Sequence, residues 1–557
     1  MPVTPPACAA RLPGRLGAMV LLAIAGVGAP AEARPVYCVD FAGGNDASDG
    51  LTRNTAWRHL PGTRTGSLWQ SDYVSSDFGH GAVVARSRPV PPGTTLRLKG
   101  GCMQDASGGG AVLINSDFYE SGTPDAPIII ERDPSWGGGP AVFDGTGLAL
   151  DKWEVQLLVR NVDNVWLRGN GPGGMAFRNS PKGALAIFGS AETPIRGARL
   201  SDLLVSGFHD CGVAADWAEG YDVTGVELDG QGIAGNAGFH FGEHPCNNGV
   251  FRRCVAHDLG DEPGAQAGGT DLQIGFWLVN SRHVRYVDCV AYDNEGDGYD
   301  VGLYQATEEN STDDIRYVNC LSRSNGDGFG ANAGEGLRHN LRVYCTNCLA
   351  VGNSFGGFHA YGGTAEYFYT NVVAVGNRDA NFHVGPDGWQ DKTRVVVHIR
   401  NSIGYRPDTG KAFHKANLLT TYVRGNDFHL DSDYNYWGAD VGATPSFCYW
   451  DAYAGAAPYA RAYSYTDGPG STTGDWYLLD EDGHLDCDGH SINGVTGPPP
   501  GFVAEQDQDY RLTADSALRG RGCDLSREPW YLPEMGLDRG GRKPTTWSIG
   551  ADQQCLR

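Results

Sequence analysis

A four-residue phrase occurs six times through the middle of this chain. Cys254-Val255-Ala256-His257 is followed by Cys289-Val290-Ala291-Tyr292, Cys320-Leu321-Ser322-Arg323, Cys348-Leu349-Ala350-Val351, Val372-Val373-Ala374-Val375 and Ser402-Ile403-Gly404-Tyr405. Successive copies start 35, 31, 28, 24 and 30 residues apart. Helical repeats keep a fixed period of roughly 33–34 residues, so unequal spacing argues against them. The copies are rich in β-branched residues and glycine and lack helical periodicity, which reads as strand. Five residues after four of the starts comes an asparagine: Asn294, Asn325, Asn353 and Asn377. Four or five residues later comes an aromatic ring, Tyr299, Phe329, Phe358 and Phe382, and Phe413 continues the series.

Each unit therefore reads strand, asparagine turn, glycine-rich turn, short strand. Stacked coils of a parallel β-solenoid account for all of this, because parallel strands about 4.8 Å apart set like residues on like residues. Inward Cys, Val and Phe positions would form apolar ladders, and turn asparagines would bond the neighbouring backbone and the next amide. A propeller blade needs four antiparallel strands in about 40–45 residues, more than 24- and 28-residue units hold. The expected class is all-β, a parallel β-helix with end caps and a loop insertion near the C-terminal end. A stacked core grows along its axis, which suits a chain of 557 residues, too long for one ordinary core. Glycine, at 81 residues, is about twice as frequent as usual but has no three-residue period, which excludes collagen. Apolar residues at 41 % exclude wholesale disorder.

Residues 1–33 read as a secretory leader. Arg11 and Arg15 precede an apolar run from Leu16 to Gly28, too short to span a membrane, and Ala31-Glu32-Ala33 is a cleavage pattern. The mature chain is expected to start at Arg34, with no membrane span, and to be secreted, periplasmic or held at the cell surface as a monomer. The fourteen cysteines include Cys8 in the leader, leaving an odd number. An oxidising compartment permits disulfides, and Cys38 with Cys102, Cys448 with Cys487, and Cys523 with Cys555 are candidate pairs. Cys345-Thr346-Asn347-Cys348 is a lone C-x-x-C whose thiols should face opposite ways on a strand, so zinc is not read there. A net charge of −23 with only seven lysines excludes a nucleic-acid or anionic-membrane footprint. Residues 34–120 are expected to form an N-terminal cap and the first strands, 121–440 the parallel β-helix, 441–500 an aromatic and glycine-rich insertion, and 501–557 a closing segment.

Ser121-Gly122-Thr123-Pro124-Asp125-Ala126-Pro127-Ile128-Ile129-Ile130 and Ala141-Val142-Phe143-Asp144-Gly145 resemble the opening coils of secreted right-handed parallel β-helix proteins. Asp509-Tyr510-Arg511-Leu512 and Trp547-Ser548-Ile549-Gly550-Ala551 resemble their closing segment. The central coils are most similar to family 9 polysaccharide lyases of the pectate lyase-like group. That family carries an N-x-D-D-G-x-D segment that ligates calcium, an aspartate one coil earlier and a lysine base one coil later. Here the segment is Asn294-Glu295-Gly296-Asp297-Gly298-Tyr299-Asp300. The resemblance thus implies calcium at Asp297 and Asp300, with Asp271 as the earlier ligand. The lysine position falls on Gly330.

The same coils give an independent expectation from alternation of strand faces. If the ladder rings point inward, the next residues point out: Asp300, Gly330, His359, His383 and His414, with His240 and Gln273 in earlier coils. Asp297 and Asp327 would stack beside them. Clustered carboxylates suit a hard cation such as calcium. Uronate β-elimination needs the carboxylate neutralised and a base over the C5 proton. His359 is the leading base, with Lys411, Lys415 and Arg338 as alternatives, and His383, His414 and Gln273 as substrate contacts. The expected function is a calcium-assisted polysaccharide lyase on a uronate glycan. The alternatives are a non-catalytic glycan-binding or cell-surface β-helix, and a glycoside hydrolase using paired aspartates.

Overall fold

A computed structural model of the chain divides into residues 1–34 and a unit from Pro35 to Arg557. From residue 34 to 550 it describes all but 65–87, 105–110, 149, 151–153, 234–236, 261–272, 303–311, 333–340, 362–363, 379, 386–393, 406–415, 423–426, 439–446, 452–460, 464–482, 488–490, 494–499, 506–508 and 537–546. The second unit is a right-handed parallel β-helix, and the expected class holds.

Between Thr95 and Asp451 each coil contributes one strand to each of three long sheets. One such coil is Ile274–Val279 in the first sheet, Arg282–Val287 in the second and Val290–Tyr292 in the third; Tyr299–Gly302 then restarts the first. The second sheet is in place from the first described strand, where Val36–Val39 pairs in parallel with Thr95–Gly100. Trp57, fully buried, stacks on Tyr37 at that end, with ring centroids 4.5 Å apart. Residues 441–500 give each sheet a last strand, Phe447–Asp451, Gly483–Cys487 and Ile492–Asn493, and add Arg461–Tyr463 as an antiparallel partner to the first of these.

The ladders explain the repeat. Phe239, Phe276, Tyr299, Phe329, Phe358 and Phe382 are in register and buried, with successive ring centroids 4.7–5.3 Å apart. Burying each such ring stabilises by about 1.5–3 kcal/mol. At the turn into the first sheet, Asn294 Nδ2 donates to Asn325 Oδ1 at 2.9 Å, and Asn353 Nδ2 to Asn377 Oδ1 at 2.8 Å. The backbone N–H of Asn325 donates to Asn353 Oδ1 at 3.0 Å. Asn325 departs from the simple stack, since its own amide donates to Ala291 O and Ser322 Oγ.

Two thiol expectations are corrected. Cys345 and Cys348 both point into the core, because Asn347 between them takes φ 54° and bends the chain from the second sheet to the third. Asp288, Asn319, Asn371 and Asn401 make the same bend in their coils, each just before a repeat start. Cys38 and Cys102 are buried free thiols rather than a disulfide. Cys38 sits opposite Arg97 in the strand pair, while Cys102 lies beyond the turn and donates to Lys99 O at 2.7 Å. Cys555 and the side chains of Cys448 and Cys487 lie outside the described residues.

The closing segment lies along the helix rather than across its end. Tyr510, Leu512, Leu518 and Ile549 pack on Leu349, Val373, Ile403 and Tyr436, which face outward from the third sheet. Leu525 and Met535 cover Tyr344 and Phe368 on the second. The first sheet has no such cover among the described residues of 501–557, which leaves its outer face as the place for a site.

Candidate functional site

Register on the first sheet builds one outward column. Ala214 pairs with His240, His240 with Trp277, Trp277 with Asp300, Asp300 with Gly330, Gly330 with His359 and His359 with His383. His240, Asp300, His359 and His383 therefore stand where face alternation places them. Two expected members do not. Gln273 is buried ahead of the strand at φ 43°, and Trp277 takes the rung. His414 and Phe413 lie outside the described residues, and their rung belongs to Leu419 and Leu418, in register with His383 and Phe382. Ring-to-ring counting along the chain therefore does not give the rung that follows Phe382. Asp271, Arg338 and Lys411 also fall outside the described residues.

The column is recessed rather than freely exposed. His240 is buried and stacks on Trp277 with ring centroids 4.2 Å apart; His359 stacks on His383 at 4.3 Å. Beside it the glycine-rich turns hold two aspartates in stacked coils. Asp297 Oδ1 accepts the N–H of Asp327 at 2.7 Å, and Asp327 Oδ1 accepts the N–H of Gly356 at 2.5 Å. The other oxygen of Asp327 lies 2.6 Å from His359 Nδ1. That contact fixes the imidazole plane and directs Nε2 away from Asp327.

Gly330 completes the recess. A Cβ there would lie 3.2 Å from Asp297 Oδ2 and 3.5 Å from Asp300 Oδ1, so its absence leaves room above the carboxylates. Asp300 as a whole is half-buried, yet its Oδ1 is fully buried with no hydrogen-bond partner. Burial, then the charge of Asp327, pushes the Asp300 carboxyl up to about 6, with His359 opposing. Burial, then Asp327 and Asp300, raises Asp297 well above the usual carboxylate range. Both shifts come first from burial and then from like charge close by. An oxygen-only cluster with an orphaned buried oxygen fits calcium in donor type. Its spread is wider than that of a closed set, since Asp229, His257 and Asp258 are the described residues whose ligand atoms all fall within 4.8 Å of one another.

Nearer the N-terminus the same face holds a pocket lined by Val155, Gly183, Asp210, Cys211, Asp216, His240 and Glu243, among others. Burial lowers His240 to about 4, so the ring is neutral at neutral pH. Burial, then Asp216, raises Glu243. Asp216 Oδ1 accepts the N–H of His244, whose ring stacks on Trp217. Sequence reasoning missed Asp216 and Glu243, which lie outside the clear repeats.

Residues 184–373 match the family model described as the right handed beta helix region. No curated protein matches the chain in sequence. Among solved structures, pectate lyase Pel9A is 16 % identical, with a TM-score of 0.41 over 91 % of this chain and 96 % of that one. The A-module of the Azotobacter vinelandii mannuronan C-5 epimerase AlgE4 is 15 % identical, with a TM-score of 0.39 over 67 % of this chain and 90 % of its own. A rhamnogalacturonan lyase is 13 % identical, with a TM-score of 0.33 over 72 % and 86 %. Likeness at this level leaves the chemistry to be argued from the residues present.

Proposed function

We propose that this chain is an exported, carbohydrate-active β-helix protein, a monomer that cleaves a uronate-containing polysaccharide by β-elimination with calcium. The observation that carries the reading is the recess above Gly330, where Asp297, Asp300 and Asp327 crowd against His359. Asp297 and Asp300, with Asp327 alongside and Asp271 as the resemblance implies, would hold the ion. Bound calcium would supply the positive charge that neutralises a uronate carboxylate and acidifies the C5 proton. His359 takes that proton at Nε2, with Asp327 holding Nδ1 and stabilising the imidazolium that forms. A histidine base is poised near neutrality, which fits the absence of the lysine from position 330. His383 stacks behind His359 and limits its rotation, and the open face at Gly330 admits the sugar ring.

A second reading has its own support. Asp300, pushed up to about 6, holds a proton further into the neutral range than an ordinary carboxyl, and a glycoside hydrolase uses a pair of carboxyl groups, one of them as the acid. A panel of uronate and neutral glycans, read by ultraviolet absorbance and by reducing ends with calcium and with chelator, separates the two. The lyase reading expects calcium-dependent absorbance from a new C=C bond. Reducing ends without absorbance support hydrolysis, and neither product on any glycan leaves a binding protein.

A further inference from the structure

One histidine lies at the contact between the closing segment and the second sheet. His398, on Arg394–Arg400, is in register with Phe368 on Ala365–Thr370 and with Asp431 on Asp427–Asp433. Its Nδ1 is 2.9 Å from Asp431 Oδ2, and its Nε2 is 3.3 Å from Glu366 Oε1. Ionised carboxylates accept and do not donate, so an imidazole bonded to two of them carries both protons and a positive charge. The ring lies flat on Phe368, with centroids 4.8 Å apart. Trp530 of the closing segment meets both rings, its centroid 5.4 Å from His398 and 5.2 Å from Phe368.

The other charged groups around His398 are fixed in pairs. Arg400 binds the Asp431 side chain and donates to Asp431 O at 2.9 Å, and Glu528 of the segment has Oε1 3.9 Å from its Nε. Asp433 is in register with Arg400. Arg342, in register with Glu366, is bound to Asp313. Burial pushes the nearby Cys523 thiol up to about 12, which keeps it neutral. Carboxylates and guanidinium groups hold their charge through neutrality, whereas an imidazole changes there. Burial favours the neutral ring, but the bonds to Asp431 and then Glu366 outweigh it and raise His398 above the usual 6.5. The stabilisation is therefore complete below about pH 6.5 and is lost as pH rises through the higher folded value. A positive ring beside an indole gains a cation–π attraction that a neutral ring lacks.

We propose that His398 is a pH-sensitive latch: as an imidazolium held by Glu366 and Asp431 it fastens the closing segment through Trp530, and losing its proton loosens that segment. Leu525 and Met535 still cover Tyr344 and Phe368, so docking weakens and is not abolished. The latch stands apart from the recess at Gly330 and from its calcium.

The test is amide hydrogen exchange of the full chain from about pH 6 to 9, corrected for the intrinsic pH dependence of exchange. Protection of the stretch around Leu525 and Trp530 should fall at least about threefold across this range, while the strands of the second sheet keep theirs. His398→Gln should show the lower protection throughout and no dependence on pH. Glu366→Gln should move the midpoint to lower pH. Circular dichroism checks that both variants fold, and an NMR titration of His398 reads its proton directly. Unchanged protection in wild type would overturn the latch. So would the same pH dependence in His398→Gln, an unmoved midpoint in Glu366→Gln, or equal loss of protection in the second-sheet strands.

Discussion

Asp300 carries a stability signature that can be read without knowing the substrate. Its carboxyl rises from 3.8 to about 6 on folding, so the folded chain holds the proton more tightly than the unfolded one. The stabilising effect is complete below about pH 4 and is lost as pH rises towards 6. Asp300→Asn removes that loss. The variant should be more stable than wild type at pH 7.5, by on the order of 1–3 kcal/mol, and the difference should vanish below about pH 4. Denaturant melts across this range check both the sign and the window. Calcium at pH 7.5 should raise the melting temperature of wild type more than that of Asp300→Asn. Catalysis is a separate matter at the same scale. Under the lyase reading, His359→Ala should lower kcat by at least about 100-fold with KM little changed, measured by product absorbance. Full activity in that variant would remove His359 as the base.

Coils are held to one another by two ladders of different chemistry, and each has its own failure. Asn353 is almost wholly buried; it accepts from the Asn325 N–H and Ser322 Oγ and donates to Asn377. Asn353→Ala leaves the buried Asn325 N–H in the preceding coil without its acceptor, removes one of two donors to Asn377 Oδ1 in the next, and should destabilise by about 2–4 kcal/mol. Phe358→Ala instead opens a cavity between Phe329 and Phe382 and should lose about 3–5 kcal/mol. Chemical denaturation compares the two. The asparagine variant should also shift the backbone at Gly356 and Gly357 and so disturb Asp327, whereas the phenylalanine variant acts through the core. Equal stability of Asn353→Ala and wild type would mean that the amide ladder is dispensable.

At the scale of the whole molecule, the C-terminal segment decides which face stays open. It covers apolar residues on the outer sides of the second and third sheets, and its own Leu518 is fully buried against the third. Leu518→Asp places a charge in that contact. It should release the segment to limited proteolysis and raise binding of an apolar dye, while the β-sheet circular dichroism signal persists. If the segment stays as protease-resistant as in wild type, the packing along the third sheet matters less than its burial implies. On the first sheet the glycine-rich turns that carry Asp297 and Asp327 shape the recess.

The sequence by itself determined the stack. Recurring Cys, Asn and ring positions at unequal spacing are compatible with parallel coils, because only backbone hydrogen bonding between strands forces like residues into contact while letting loops vary in length. That logic placed His240, Asp300, His359 and His383 in one column and set Asp297 and Asp327 beside it. It failed wherever a backbone angle or a loop length intervened. Counting along the chain could not reveal that Asn347 bends so sharply that Cys345 and Cys348 share the core, nor that Leu418 takes the rung after Phe382. Tertiary structure alone decided that the final segment runs along the side, that Asp327 grips His359, and that Asp258 folds back onto His257. The first two depend on how groups far apart in sequence meet in three dimensions, and the third on a single left-handed backbone angle at Asp258 that no periodicity encodes.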